Sequence, residues 1–156
     1  MVMLNASLLM LTSLGCGSAP EGELLVSYHS AMIETMPLNR QLADVFLKAV
    51  SGMQEDSPED AVLRKLFEED VIPIAKDLTE TATGIQTQHP SLEPLHAQLV
   101  EAWTQRSSAY ESMLSSWDTK DMEALELAIE SNLQAKLSEE DYFKRANSVF
   151  ASSGLK

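Results

Sequence analysis

Apolar side chains return every third or fourth position through four successive stretches of this chain, and that beat confines it to helices packed around a shared axis. The first stretch, residues 23–54, sets Leu25, Tyr28, Met32, Met36, Leu42, Phe46, Ala49 and Met53 along one stripe. Pro37 lies inside it and predicts a kink or a split, because proline removes a backbone donor and crowds the preceding turn. The second stretch opens at Ser57, Pro58, Glu59 and Asp60. Ser57 suits a cap, Pro58 the first helical position, and the two carboxylates the positive end of the helix dipole. Leu63, Phe67, Val71, Ile74, Leu78, Ala82 and Ile85 carry its stripe towards residue 87, with a bend expected at Pro73. After a turn at Gln88, His89, Pro90 and Ser91, a third stretch to residue 117 presents Leu92, Leu95, Leu99, Trp103, Tyr110, Met113, Leu114 and Trp117. Asp118 is placed to cap the fourth, whose expected core positions are Met122, Leu125, Ile129, Leu133, Leu137, Phe143, Ala146 and Phe150, before Gly154 ends it.

Strand signals are scarce, and neither an Asn-Gly nor an Asp-Gly hairpin turn occurs. Four long helices with short connections predict an all-α, antiparallel up-down-up-down four-helix bundle over residues 23–156. At 156 residues and 44% apolar content the chain suits one core better than two.

Ahead of the bundle stands a different kind of segment. Leu8, Leu9, Met10 and Leu11 form a short apolar run that passes through Thr12, Ser13, Leu14 and Gly15 to Cys16, the sole cysteine. One cysteine forms no internal disulfide, no redox pair and no cysteine-rich zinc site. Its place behind an apolar run resembles the lipobox of bacterial lipoproteins, with Ser13 where that family usually has leucine and no Lys or Arg in residues 1–7. The resemblance implies cleavage before Cys16, two or three acyl chains (palmitate among them) on the new terminus, and anchorage in the cell envelope. It divides the chain into a leader, residues 1–15, a lipidated tether, residues 16–22, and the bundle. An ordinary cleaved leader or a disordered apolar tail is the alternative. Either way the apolar run is shorter than the roughly 20 residues a spanning helix needs, so membrane attachment is expected through lipid only. Gly17, where some lipoproteins carry an aspartate that retains them at the inner membrane, favours the outer membrane.

A formal charge of -13 repels phosphate backbones and argues against nucleic acid as a partner. Catalytic signatures are missing: no serine stands in Gly-x-Ser-x-Gly, and no glycine-rich loop precedes a helix. Glu93 and His96 have the spacing of one half of a di-iron site, yet neither His29 nor His89 supplies the second half. His96 is accordingly expected at the surface or beside a loop, and no metal or cofactor is expected. The architecture is similar to that of small haem-binding four-helix proteins, but the last helix holds no histidine, and the eight methionines read as core filler.

One polar feature interrupts the stripes. Arg106 lies three residues after Trp103 and four before Tyr110, so the three share a helical face. They form either a structural cluster or the lining of a pocket for an anionic or aromatic ligand, with the guanidinium stacked on the indole or paired with Asp44 or Asp77. Asn132 is a second candidate for a buried polar residue that marks register. The function expected from these features is that of a non-catalytic envelope lipoprotein, an accessory, adaptor or inhibitor that binds another envelope protein of basic character. The alternative is a small-molecule or metal carrier with its site between the helices.

Overall fold

The computed structural model describes residues 20–53 and 60–155. The leader, Cys16, the start signal at Ser57, Pro58 and Glu59, and the side chain of Met53 lie outside the described residues. The described residues form five α-helices: α1 (Glu21–Met53), α2 (Asp60–Leu66), α3 (Ile72–Gly84), α4 (Glu93–Thr119) and α5 (Met122–Ser152). A π-helical turn, Phe67–Val71, joins α2 to α3 without a break, so four rods pack as a four-helix bundle. There is no strand among the described residues.

Cross-helix contacts order the rods. On α4 and α3, Lys76 pairs with Glu111 while the Ala82 carbonyl meets His96, so the two run in opposite directions. On α4 and α5, Gln98 reaches Asp141 while Gln105 reaches Ser131, again in opposite order. Between α1 and α5, His29 lies against Phe150 and Asn39 against Glu139.

Prolines act differently at their two interior positions. Despite Pro37, α1 continues unbroken, beginning at Glu21 and therefore taking in two residues expected in the tether. The Pro20 carbonyl starts it by accepting from Glu23 and Leu24 N–H. Thr35, fully buried, donates its hydroxyl to the Met32 carbonyl in the turn before Pro37. At Pro73 the helix absorbs the missing donor by widening: the Ile72 N–H bonds to the Phe67 carbonyl, five residues back, which gives the ring room where an α-turn would crowd it.

The third rod ends later than expected. Asp118 is still helical and pairs with Arg64, and the chain reverses at Lys120 in the left-handed region (φ 58°). Asp121 is the cap of α5, accepting from the Ala124 N–H at 3.0 Å. Gly154, at φ 79°, closes α5 with Leu155 N–H on the Phe150 carbonyl and its own N–H on Ala151, the bond pair of a Schellman motif.

The sequence pattern finds the inner face of α5 only in part: Leu125, Ala146 and Phe150 are buried and Phe143 partly so, but the middle of the expected stripe is not. Ile129, Leu133, Leu137 and Met122 are exposed, whereas the buried row is Leu125, Ala128, Asn132, Ala135, Glu139, Tyr142, Ala146 and Phe150. Buried positions alternate steps of three and four as far as Ala146. Repeated steps of four advance about 40° around the helix each time, so Ile129, Leu133 and Leu137 drift progressively outward from Leu125. The true inner row is rich in alanine because α4 and α5 lie close together, with Ala102 and Ala109 buried on the facing helix. Between α1 and α5 the backbones stay more than 8 Å apart almost everywhere, and large side chains fill the wider seam.

Candidate functional site

Three helices converge on Arg106. It is 4% exposed, and its Nη1 donates to Glu139 Oε2 on α5 at 2.7 Å and to Asn39 Oδ1 on α1 at 3.0 Å. Asn39 Nδ2 donates in turn to Glu139 Oε1 at 2.6 Å, closing the triangle, and Arg106 Nε donates to the Tyr110 hydroxyl at 3.0 Å. The partner is therefore Glu139, not Asp44 or Asp77, both of which are exposed. The two aspartates lie at solvent-facing positions of their helices, whereas Arg106 is buried. Burial pushes the Tyr110 hydroxyl above the usual phenol range, against the opposing pull of the Arg106 charge.

Trp103 is buried beside this cluster in sequence but takes no part in its hydrogen bonding. Its indole Nε1 has no partner among the described residues, and the same holds for Asn132 Oδ1. Asn132 is buried as expected of a polar register marker. Trp103, Arg106 and Tyr110 thus share an inward face, but only Arg106 and Tyr110 bond to one another.

A second polar chain crosses the bundle nearer the start of α1. The Ala82 carbonyl accepts from His96 Nε2 at 3.0 Å, since a carbonyl has no proton to give. In the neutral ring Nδ1 is then an acceptor, and the Tyr28 hydroxyl donates to it at 3.0 Å while the Tyr142 hydroxyl donates to Tyr28 at 2.7 Å. His96 is buried, not at the surface, because Leu92, Leu95, His96 and Leu99 form a continuous inward patch at the start of α4. Burial pulls its pKa below the ordinary imidazole value, outweighing the backbone bonds to Ala82 and Ile85. Burial likewise raises the Tyr28 and Tyr142 hydroxyls above the usual phenol range, so both stay protonated. Glu93 is exposed, and no three His, Cys, Asp or Glu side chains gather as a metal would need among the described residues.

The wide α1–α5 seam opens into two clefts that share Phe143. One, of about 260 Å³, runs along Met32, Ile33, Met36 and Phe150; the other, of about 290 Å³, lies over the Arg106–Glu139 pair and is flanked by Arg40, Lys136 and Glu140.

No family model, curated protein or solved structure matches the chain. The chemistry of the site must therefore be read from its own groups. The Arg106 and Glu139 charges oppose one another, and the hydrogen bonds that hold them also join α1, α4 and α5.

Asn39, Glu139, Tyr28 and Tyr142 were not singled out as polar partners by the sequence pattern. Glu139 was nonetheless discoverable, because counting alanine as core traces Ala128, Ala135, Tyr142 and Ala146 along one inward row, with Glu139 among them.

Proposed function

We propose that the protein is a non-catalytic, lipid-anchored module of the cell envelope that docks a helical partner protein on the outer face of α5. The observation that carries this reading is the row of apolar side chains left in solvent there. Met122, Ile129, Leu133 and Leu137 are between 50% and 61% exposed at steps of seven, four and four residues. Scattered exposed leucines are ordinary on any surface; a row at helical spacing is the pattern that an amphipathic helix meets with its own apolar stripe. Glu126, Glu130 and Glu140 are exposed on the same helix, which suits a partner stripe edged with Lys or Arg and agrees with the acidic charge of the whole chain.

Anchorage rests on Cys16 behind its apolar run, and the outer membrane on Gly17. No helix among the described residues is long and apolar enough to cross a membrane. Two measurements test the reading. Intact mass of envelope-extracted protein should show a chain beginning at an acylated Cys16, and Cys16→Ser should release the protein from the membrane fraction. A photo-crosslinker placed at Leu133 should capture one discrete partner in intact cells, whereas the same group at Glu80 on α3 should not, and Leu137→Glu should abolish the adduct. Equal labelling from both positions would remove the α5 face from consideration.

A further inference from the structure

The α1–α5 seam holds a second opportunity, independent of the outer face of α5. Of the eleven basic residues, Arg64, Lys65, Lys76, Arg106 and Arg145 are engaged in ion pairs. Arg40 and Lys136 are exposed, line the same cleft, and make no ion pair or hydrogen bond among the described residues. Around that cleft stand three cations and two carboxylates, Arg40, Arg106 and Lys136 against Glu139 and Glu140. Its floor is already settled, because Arg106, Glu139 and Asn39 satisfy one another. The local excess of positive charge therefore resides at the mouth, on a molecule whose surface is otherwise strongly acidic.

Towards the start of α1 the same seam turns apolar. Past the shared wall of Phe143 the lining is mainly apolar, Met32, Ile33, Met36 and Phe150, with His29 and Asn147 among its polar members. From His29 to Met36 this half spans two turns of α1, about 10 Å, and methionine side chains adapt their shape to varied apolar guests. A cationic mouth joined to an apolar trough selects a ligand with an anionic head and an apolar tail, since a cation meets repulsion at one end and a wholly polar anion gains nothing at the other.

We propose that the α1–α5 seam binds an amphiphilic anion, its carboxylate or phosphate head held between Arg40 and Lys136 and its apolar tail lying along Met32, Ile33, Met36 and Phe143. This deepens the carrier alternative and does not depend on the partner-docking reading, because Leu133 and Leu137 do not line either cleft.

Isothermal titration of the full chain with decanoate and with decyl phosphate tests it, the two arms showing which head is preferred. Saturable one-to-one binding of at least one is expected, weakening as salt rises. The double variant Arg40→Gln, Lys136→Gln alters two exposed side chains and should leave the melting temperature unchanged while weakening binding by about tenfold or more. Ile33→Asn, at a half-exposed position on the trough, should weaken both ligands without touching the mouth. Acetate and inorganic phosphate, which lack the tail, should bind far more weakly. Absence of saturable binding by both decyl anions, unchanged affinity in the double variant, or equally tight binding of decyltrimethylammonium would each overturn the proposal.

Discussion

Arg106 and Glu139 are side chains of types rarely found this deep, at 4% and 7% exposure. Their burial is tolerable because each charge is opposed by the other and every contact is a charge-assisted hydrogen bond, with Asn39 and Tyr110 completing the set. Removing one partner strands the other: Glu139→Ala should cost about 3–5 kcal/mol. Replacing both, as Arg106→Met with Glu139→Leu, should recover most of that loss, and urea denaturation of the two single variants and the double variant measures the coupling. A double variant as unstable as the sum of the singles would remove the pairing argument. His96 makes a prediction of opposite character. Its folded-state pKa is depressed by burial, so protonation favours the unfolded chain. Above the unfolded value of about 6.5 the ring is neutral in both states and contributes no slope. As pH falls below that value the unfolded chain takes up the proton first, and stability is lost until the folded-state value is reached. Thermal melts from pH 7.5 to 5 should therefore fall more steeply for the native chain than for His96→Gln; parallel curves would show that His96 titrates alike in both states.

At the scale of elements, the two seams of α5 differ in what fills them. Towards α4 the fully or nearly buried positions are Ala102, Ala109, Ala128 and Ala135, and the small side chains let the backbones approach. Towards α1 the filling is Tyr28, Tyr142 and the Arg106 cluster, and the backbones stay apart. Ala135→Leu should thus cost about 1–3 kcal/mol by overpacking the close seam, read as a lowered urea midpoint at unchanged slope. The same change at exposed Ala43, on the rim of the wide seam, should be close to neutral. Equal costs at the two sites would mean that seam width does not govern packing here. The π-turn at Phe67–Val71 follows the same logic of local accommodation: the chain keeps its core residues Phe67, Val71 and Ile74 inward by widening one turn before Pro73.

For the whole molecule, a charge of -13 on 156 residues sets a repulsive background against which the core must hold. Raising NaCl from low to moderate concentration should screen it and lift Tm by a few degrees, the equivalent of about 1 kcal/mol for a domain of this size. A Tm independent of salt would place the acidic residues too far apart to repel. The helical class, the four rods and the inner stripes of the first three were legible in the sequence, because a period of 3.6 residues is a local property that a run of Leu, Phe and Met displays without reference to its neighbours. The shared face of Trp103, Arg106 and Tyr110 was legible for the same reason. The identity of Arg106's partner was not, since Asn39 and Glu139 lie 67 and 33 residues away in the chain and only packing brings them together. Nor was the middle of the inner face of α5, between the correctly placed Leu125 and Ala146, where close approach of α4 turned alanines into the core and left Ile129, Leu133 and Leu137 outside. Periodicity specifies that a helix has an inside; which residues occupy it depends on how near the neighbouring backbone stands, and that distance exists only in the assembled fold.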